Sequence, residues 1–205
     1  MTDREQYTPG PASGAQVRKD GEKWTLILVR ELRHSPEKVW QALTDPAHLR
    51  EWAPFDADGS LAKVGNKVKL TTVKAPTPWV TETTVTRADA PKSLEYTWGS
   101  NEMRWELEPL GGGTRLTLWT MINRRFIAMG AAGWHICFDV LDRLLADHPI
   151  GRFAGPAGLP AVAAGATARL IRPVAPHAPS SLSSCTATVF FTSSPSISHS
   201  TPVIE

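Results

Sequence analysis

Hydrophobic and polar residues alternate with period two through most of the stretch from Leu61 to Met121, in the strings KVKLTTVK, WVTETTVTRA, SLEYTW, MRWELEPL and RLTLWTM. Turn signals at Val64-Gly65-Asn66, Pro76 to Pro78, Ala90-Pro91, Gly99-Ser100-Asn101 and Gly111 to Gly113 separate them, so the stretch predicts an antiparallel meander. Within it Leu94, Tyr96 and Trp98 share one strand face, as do Met103, Trp105 and Leu107, while Glu95, Arg104 and Glu106 point the other way. Ahead of the meander, WTLILVREL at 24–32 is apolar and β-branched enough for a buried first strand. Ser35-Pro36 and Asp45-Pro46 each set a capping side chain before a proline, which predicts two short helices in tandem. Val39, Trp40 and Leu43 mark the buried face of the first, Leu49 and Trp52 that of the second. After the meander, FIAMGAAGWHICFDVLDRLLADH carries Trp134, Cys137, Phe138, Leu141, Leu144 and Leu145 at helical spacing, which predicts a long amphipathic helix over the apolar face of the sheet. The class is therefore α+β.

Composition fixes the limits of this domain. All eight tryptophans lie between Trp24 and Trp134, and large rings dominate core burial. From Gly151 the chain turns to Ala, Gly and Pro, and after Pro179 to Ser and Thr, a mixture that buries too little to offset its ordering entropy. The expected division is a flexible segment over 1–20, a domain over 21–150 and a disordered tail over 151–205, with ATVFF at 187–191 an aggregation-prone patch. The net charge of +2 comes from Arg152, Arg169 and Arg172 against Glu205, so the body is neutral and offers no footprint for nucleic acid or anionic lipid. No apolar run approaches a membrane span, and the polar, Pro/Gly-rich start does not read as a secretory signal. A cytoplasmic location is the expectation, and Cys137 with Cys185 suggests neither a disulfide framework nor a metal site.

The strings RHSPEKVWQALTDPAHLREW, VGNKV, TETTVTRADAPKSLEYTW, LEPLGGGTRLTL and GWHICFDVLDRLL resemble the START-like superfamily, also called SRPBCC, in the branch named for similarity to the activator of the heat-shock protein 90 ATPase. The resemblance covers roughly residues 24–150. It implies a helix-grip fold, a curved antiparallel sheet of about six or seven strands wrapped around the long C-terminal helix, with a cavity that in many relatives takes apolar molecules. Through the branch name it also implies a stress-related accessory role and a chaperone or other protein partner.

Candidate chemistry is sparse. Gly111-Gly112-Gly113 lacks phosphate-loop spacing and lies between two strands, so a hairpin turn is expected. His135 could act as an acid or base near neutrality, or be a packed histidine. Cys137 has no predicted basic neighbour to stabilise a thiolate and reads as core. Glu51, Asp56 and Asp58 cluster where cavity entrances lie in this fold, and Arg124-Arg125 is too small a basic spot for a phosphate backbone. The expected cavity lining is Tyr96, Trp98, Met103, Trp105, Trp134, His135 and Phe138, with Trp52 and Phe55 at the entrance; these side chains could equally fill a solid core. No catalytic residue, cofactor or metal ligand is assigned. A cyclase- or hydrolase-like enzyme would need convergent titratable groups, so the reading is of a protein binding an apolar small molecule.

Overall fold

The computed structural model describes residues 3–8, 15–73 and 79–153, together with the backbone pairing of Arg172 and Pro173. The order of elements is α1 (Asp3–Gln6), β1 (Ala15–Asp20), β2 (Lys23–Leu32), α2 (Pro36–Thr44), α3 (Pro46–Trp52) and β3 (Phe55–Ala57). Then follow β4 (Lys67–Thr72), β5 (Trp79–Thr84), β6 (Arg87–Asp89), β7 (Ser93–Trp98), β8 (Asn101–Leu110), β9 (Gly113–Met121), a 3₁₀ turn (Arg124–Phe126), α4 (Ile127–Leu145) and β10 (Arg172–Pro173). The main sheet runs β10-β1-β2-β9-β8-β7-β6, with six antiparallel strands and the two-residue β10 added in parallel to β1. A second sheet, β3-β4-β5, abuts it where Thr83 Oγ1 accepts from the Thr97 backbone N–H at 2.9 Å. Helix α4 packs on β2, α2 and α3. This is the helix-grip arrangement.

The two tandem helices form for the reasons legible in the chain. Ser35 Oγ accepts from Lys38 N at 3.3 Å, and Asp45 Oδ1 accepts from Ala47 N at 2.7 Å and His48 N at 3.2 Å, with Pro36 and Pro46 in the first turns. Asp45 closes one helix and opens the next, and the bond from His48 N holds its carboxyl below the usual carboxylate range. From the first turn of α2, Lys38 Nζ donates to Leu145 O at 2.6 Å, placing a cation on the C-terminus of α4, where helix carbonyls lack partners. The Gly111–Gly113 string turns β8 into β9, with Gly112 at φ +99°. A Cβ on Gly113 would stand 2.2 Å from the Leu32 carbonyl oxygen, so only glycine lets the turn approach β2.

The segment ahead of residue 21 departs from expectation. Ala15–Asp20 is a full partner of β2, from Ala15↔Leu28 to Asp20↔Lys23, across a two-residue turn with Gly21 at φ +55°. Only Ala15 and Val17 of this strand are buried, so its pattern reads as polar, and the one turn signal is Gly21, the first residue of the two-residue Gly21-Glu22 turn. Residues 3–8 also meet the body: Tyr7 Oη donates to Asp139 Oδ2 at 2.7 Å, and Arg4 donates to the carbonyls of Ile150, Gly151 and Arg152 at 2.9, 3.1 and 3.2 Å. Phe153 packs on Tyr7 with ring centroids 5.0 Å apart, and Arg152 pairs with Asp56 at 2.7 Å. The packed structure thus takes in residues before 21 and runs past 151, and 154–171 and 174–205, including the 187–191 patch, lie outside the described residues. Among the described residues no helix is long and apolar enough to cross a membrane.

Candidate binding site

The inner face of the main sheet is built in rows. Leu28, Leu118, Trp105 and Leu94 lie side by side on β2, β9, β8 and β7, and Thr120, Met103 and Tyr96 form the next row. Helix α4 lowers Trp134 and Phe138 onto these rows, α3 supplies Trp52, and β3 supplies Phe55. The rings meet as one cluster. Trp105 contacts Trp52, Trp134 and Phe138 with centroids 6.1, 5.6 and 6.1 Å apart, the first two edge-on. Trp98 contacts Phe55 at 5.3 Å and Trp134 at 6.1 Å, and Phe55 lies 6.4 Å from Tyr96. Such separations are those of favourable edge-to-face and offset pairs.

Exposure along this cluster is graded. Trp79, at the start of β5, is 49% exposed and lies 6.4 Å from the half-buried Trp98; Trp134 is 7% and Trp105 1% exposed. A run of indoles therefore leads from the surface to the centre. Trp52 and Phe55, expected at an entrance, are both 1% exposed, Trp52 behind Trp105 and Phe55 against Trp98. Three indole N–H groups of the cluster are engaged within the protein: Trp52 Nε1 donates to Ala42 O at 2.9 Å, Trp98 Nε1 to Thr72 Oγ1 at 3.3 Å and Trp105 Nε1 to the Tyr96 hydroxyl at 3.2 Å. Thr120 Oγ1 donates to Met103 Sδ at 3.1 Å. Burial raises the Tyr96 phenol well above its ordinary pKa, so it stays protonated.

His135 faces a different neighbourhood. One residue along a helix is a rotation of about 100°, which turns His135 from the aromatic cluster toward β2. There Arg30 Nη2 donates to His135 Nδ1 at 3.0 Å and pairs with Asp139 Oδ1 at 2.8 Å. Because a guanidinium can only donate, Nδ1 is the acceptor and carries no proton. Asp139 also receives the Tyr7 hydroxyl, whose pKa is pushed up by burial and then by Asp139, and His135 Nε2 stands 3.5 Å from Asp139 Oδ2. One turn on, Asp142 lies 3.7 Å from His34. Sequence periodicity missed this polar flank because Arg30 and His135 are 105 positions apart.

The other candidates have structural employment. Cys137 is buried, and burial pushes its thiol up to about 12, far from thiolate reactivity. Asp58 Oδ1 accepts from Lys69 N at 2.7 Å, Asp56 holds Arg152, and Glu51 is exposed. Arg124 lies over the Trp24 ring at 5.8 Å and Arg125 over Phe126 at 4.7 Å.

Comparison with known proteins agrees with this architecture. Protein MLL2253 from Mesorhizobium loti is 27% identical with a TM-score of 0.53, the match covering 60% of this chain and 97% of that one. Protein NE0264 from Nitrosomonas europaea is 22% identical with a TM-score of 0.53, covering 63% and 97%; this likeness is one of fold. The conserved protein of unknown function EF2215 from Enterococcus faecalis is 19% identical with a TM-score of 0.52, covering 64% and 76%. No curated protein matches the chain. The family model described as Activator of Hsp90 ATPase homolog 1-like protein matches residues 33–146, from just ahead of the first capped helix to the end of α4. Since that match spans more than half of the chain, and its span carries the tandem helices, the meander and the covering helix, the chain belongs to the Activator of Hsp90 ATPase homolog 1-like family.

Proposed function

We propose that the protein binds a hydrophobic or amphipathic small molecule between the curved sheet and helix α4, as a cytoplasmic, stress-related accessory protein rather than an enzyme. The observation that carries this reading is the run of indoles from exposed Trp79 through Trp98 and Trp134 to buried Trp105. An exposed tryptophan continuous with a buried aromatic cluster gives an apolar molecule a surface to enter along, and ring-to-ring contacts at the rim can be exchanged for ring-to-ligand contacts at little cost. The wall comprises Tyr96, Trp98, Met103, Trp105, Trp134 and Phe138, with Phe55 beside the rim and Trp52 behind it. His135 acts at the polar flank, through Arg30 and Asp139, on the orientation of α4. A fatty-acid and polycyclic-aromatic panel followed by thermal shift tests the reading. A bound ligand at a hundred times its dissociation constant stabilises the fold by about 2.7 kcal/mol. No shift with any member, and no co-purifying molecule in a native mass spectrum, would remove it.

A chaperone-activator role is the second reading, supported by the family description. It predicts that surface charge reversals disturb function while changes at Trp98 or Trp134 act through stability.

A further inference from the structure

The outer face of the main sheet, away from α4, carries an open depression of about 600 Å³ that the binding reading does not use. The strand registers order its lining into rows running across β1, β2, β9 and β8. One row is Gln16, Ile27, Trp119 and Arg104. On one side of it lies Arg18, Thr25 and Met121, and extending the Met103↔Thr120 register by one residue adds Glu102 to that row. On the other side lie Val29, Thr117 and Glu106, and beyond them Glu31, Arg115 and Glu108. The middle strands β2 and β9 thus present Val29, Trp119 and Met121 half-buried beside the buried Ile27, with Glu31 and Arg115 at one end, and the flanking strands present charge.

We propose that this face pairs with the same face of a second copy of the chain, about a two-fold axis running between β2 and β9 along the strand direction. Such an axis lays β1 of one copy over β8 of the other and β2 over β9, keeping the rows in order. Arg18 then faces Glu102 of the second copy, and Glu102 faces its Arg18. Ile27 faces Trp119, and Glu31 faces Arg115, each contact occurring twice, as an isologous interface requires. No row sets like charges opposite one another. Arg115 already pairs with Glu31 at 3.1 Å and Glu108 at 3.4 Å within the chain, and Arg104 with Glu95 and Glu106. Arg18 and Glu102, by contrast, have no ion-pair partner among the described residues, and the two-fold arrangement supplies one to each. A half-buried apolar centre of Val29, Trp119 and Met121 inside a charged rim is the anatomy of a protein interface, and two sheets stacked face to face with strands nearly aligned are a common packing.

The test is sedimentation velocity of the full chain across a concentration series, in parallel with Arg18→Glu, Glu102→Arg and the double exchange. Arg18 and Glu102 lie away from the core, so all three variants keep the fold, which circular dichroism verifies. The expected result is a concentration-dependent dimer, a dissociation constant raised roughly tenfold by either single reversal, and recovery in the double exchange, because each reversal creates two like-charge contacts and the exchange restores both. A monomer at every concentration overturns the proposal. So does a dimer indifferent to the single reversals, which would form through another surface.

Discussion

Trp105 touches Trp52, Trp134 and Phe138 through its ring and Tyr96 through its indole N–H. Replacing it by Ala leaves a void among rings that cannot close over it, with an expected cost of roughly 3–5 kcal/mol, and Trp134→Ala falls in the same range. Urea titration measures this; a loss under about 1 kcal/mol at Trp105 would mean that the cluster repacks. Both residues were legible from the sequence, since period two assigns Trp105 to the inner face and period 3.6 assigns Trp134 to the covering face. What periodicity hides is pairing across distance. His135 reads as inward-pointing, yet its neighbours Arg30 and Asp139 come together only when β2 and α4 pack. Cys137 is a further residue-scale case: with its thiol raised to about 12 by burial, a thiol reagent at pH 8 should label it no faster than the fold opens. Labelling in the native state as fast as in urea would contradict that burial.

Asp45 joins α2 to α3, and its side chain serves two backbone N–H groups at the start of α3. Asp45→Ala should cost about 1 kcal/mol at neutral pH. Because the folded-state pKa of this carboxyl is lowered, its ionic contribution is present above the unfolded value of about 3.9 and is lost as the pH falls below it. The wild-type advantage over the Ala variant should therefore shrink in urea titrations below about pH 4; an advantage constant down to pH 2 would show that the charge adds nothing. The same local chemistry made both helices readable in advance. Strand β1 escaped because a strand with one buried face needs only every second residue to be apolar, and here two small ones, Ala15 and Val17, are enough. Its remaining stability comes from the backbone ladder with β2, which carries no compositional mark.

At the scale of the whole molecule, the ends of the domain are tied by contacts that composition alone does not reveal. The segment of residues 3–8 is polar, yet Arg4 caps three carbonyls after α4 and lies 4.3 Å over the Phe153 ring, while Tyr7 is held between Asp139 and the cation of Arg143. Arg152 then joins this junction to β3 through Asp56. The run beyond Phe153 is Ala/Pro-rich and then Ser/Thr-rich, and its described contribution to the sheet is two residues, one of them a proline without an N–H. Shortening the chain from its two sides should therefore have unequal effects. A chain ending at Phe153 should unfold within about 1 kcal/mol of the full chain, since among the described residues it keeps every ring contact of the core and every strand pair except β1–β10. A chain starting at Gly14 should lose more, roughly 2–3 kcal/mol, because the part-buried Tyr7–Asp139 and Arg4–Ile150 bonds each contribute on the order of 1 kcal/mol and the Tyr7–Phe153 ring contact is lost with them. Urea midpoints of the two shortened chains decide the matter. If the chain starting at Gly14 is the more stable of the two, residues 3–8 only lie against the domain, and its boundary belongs at β1.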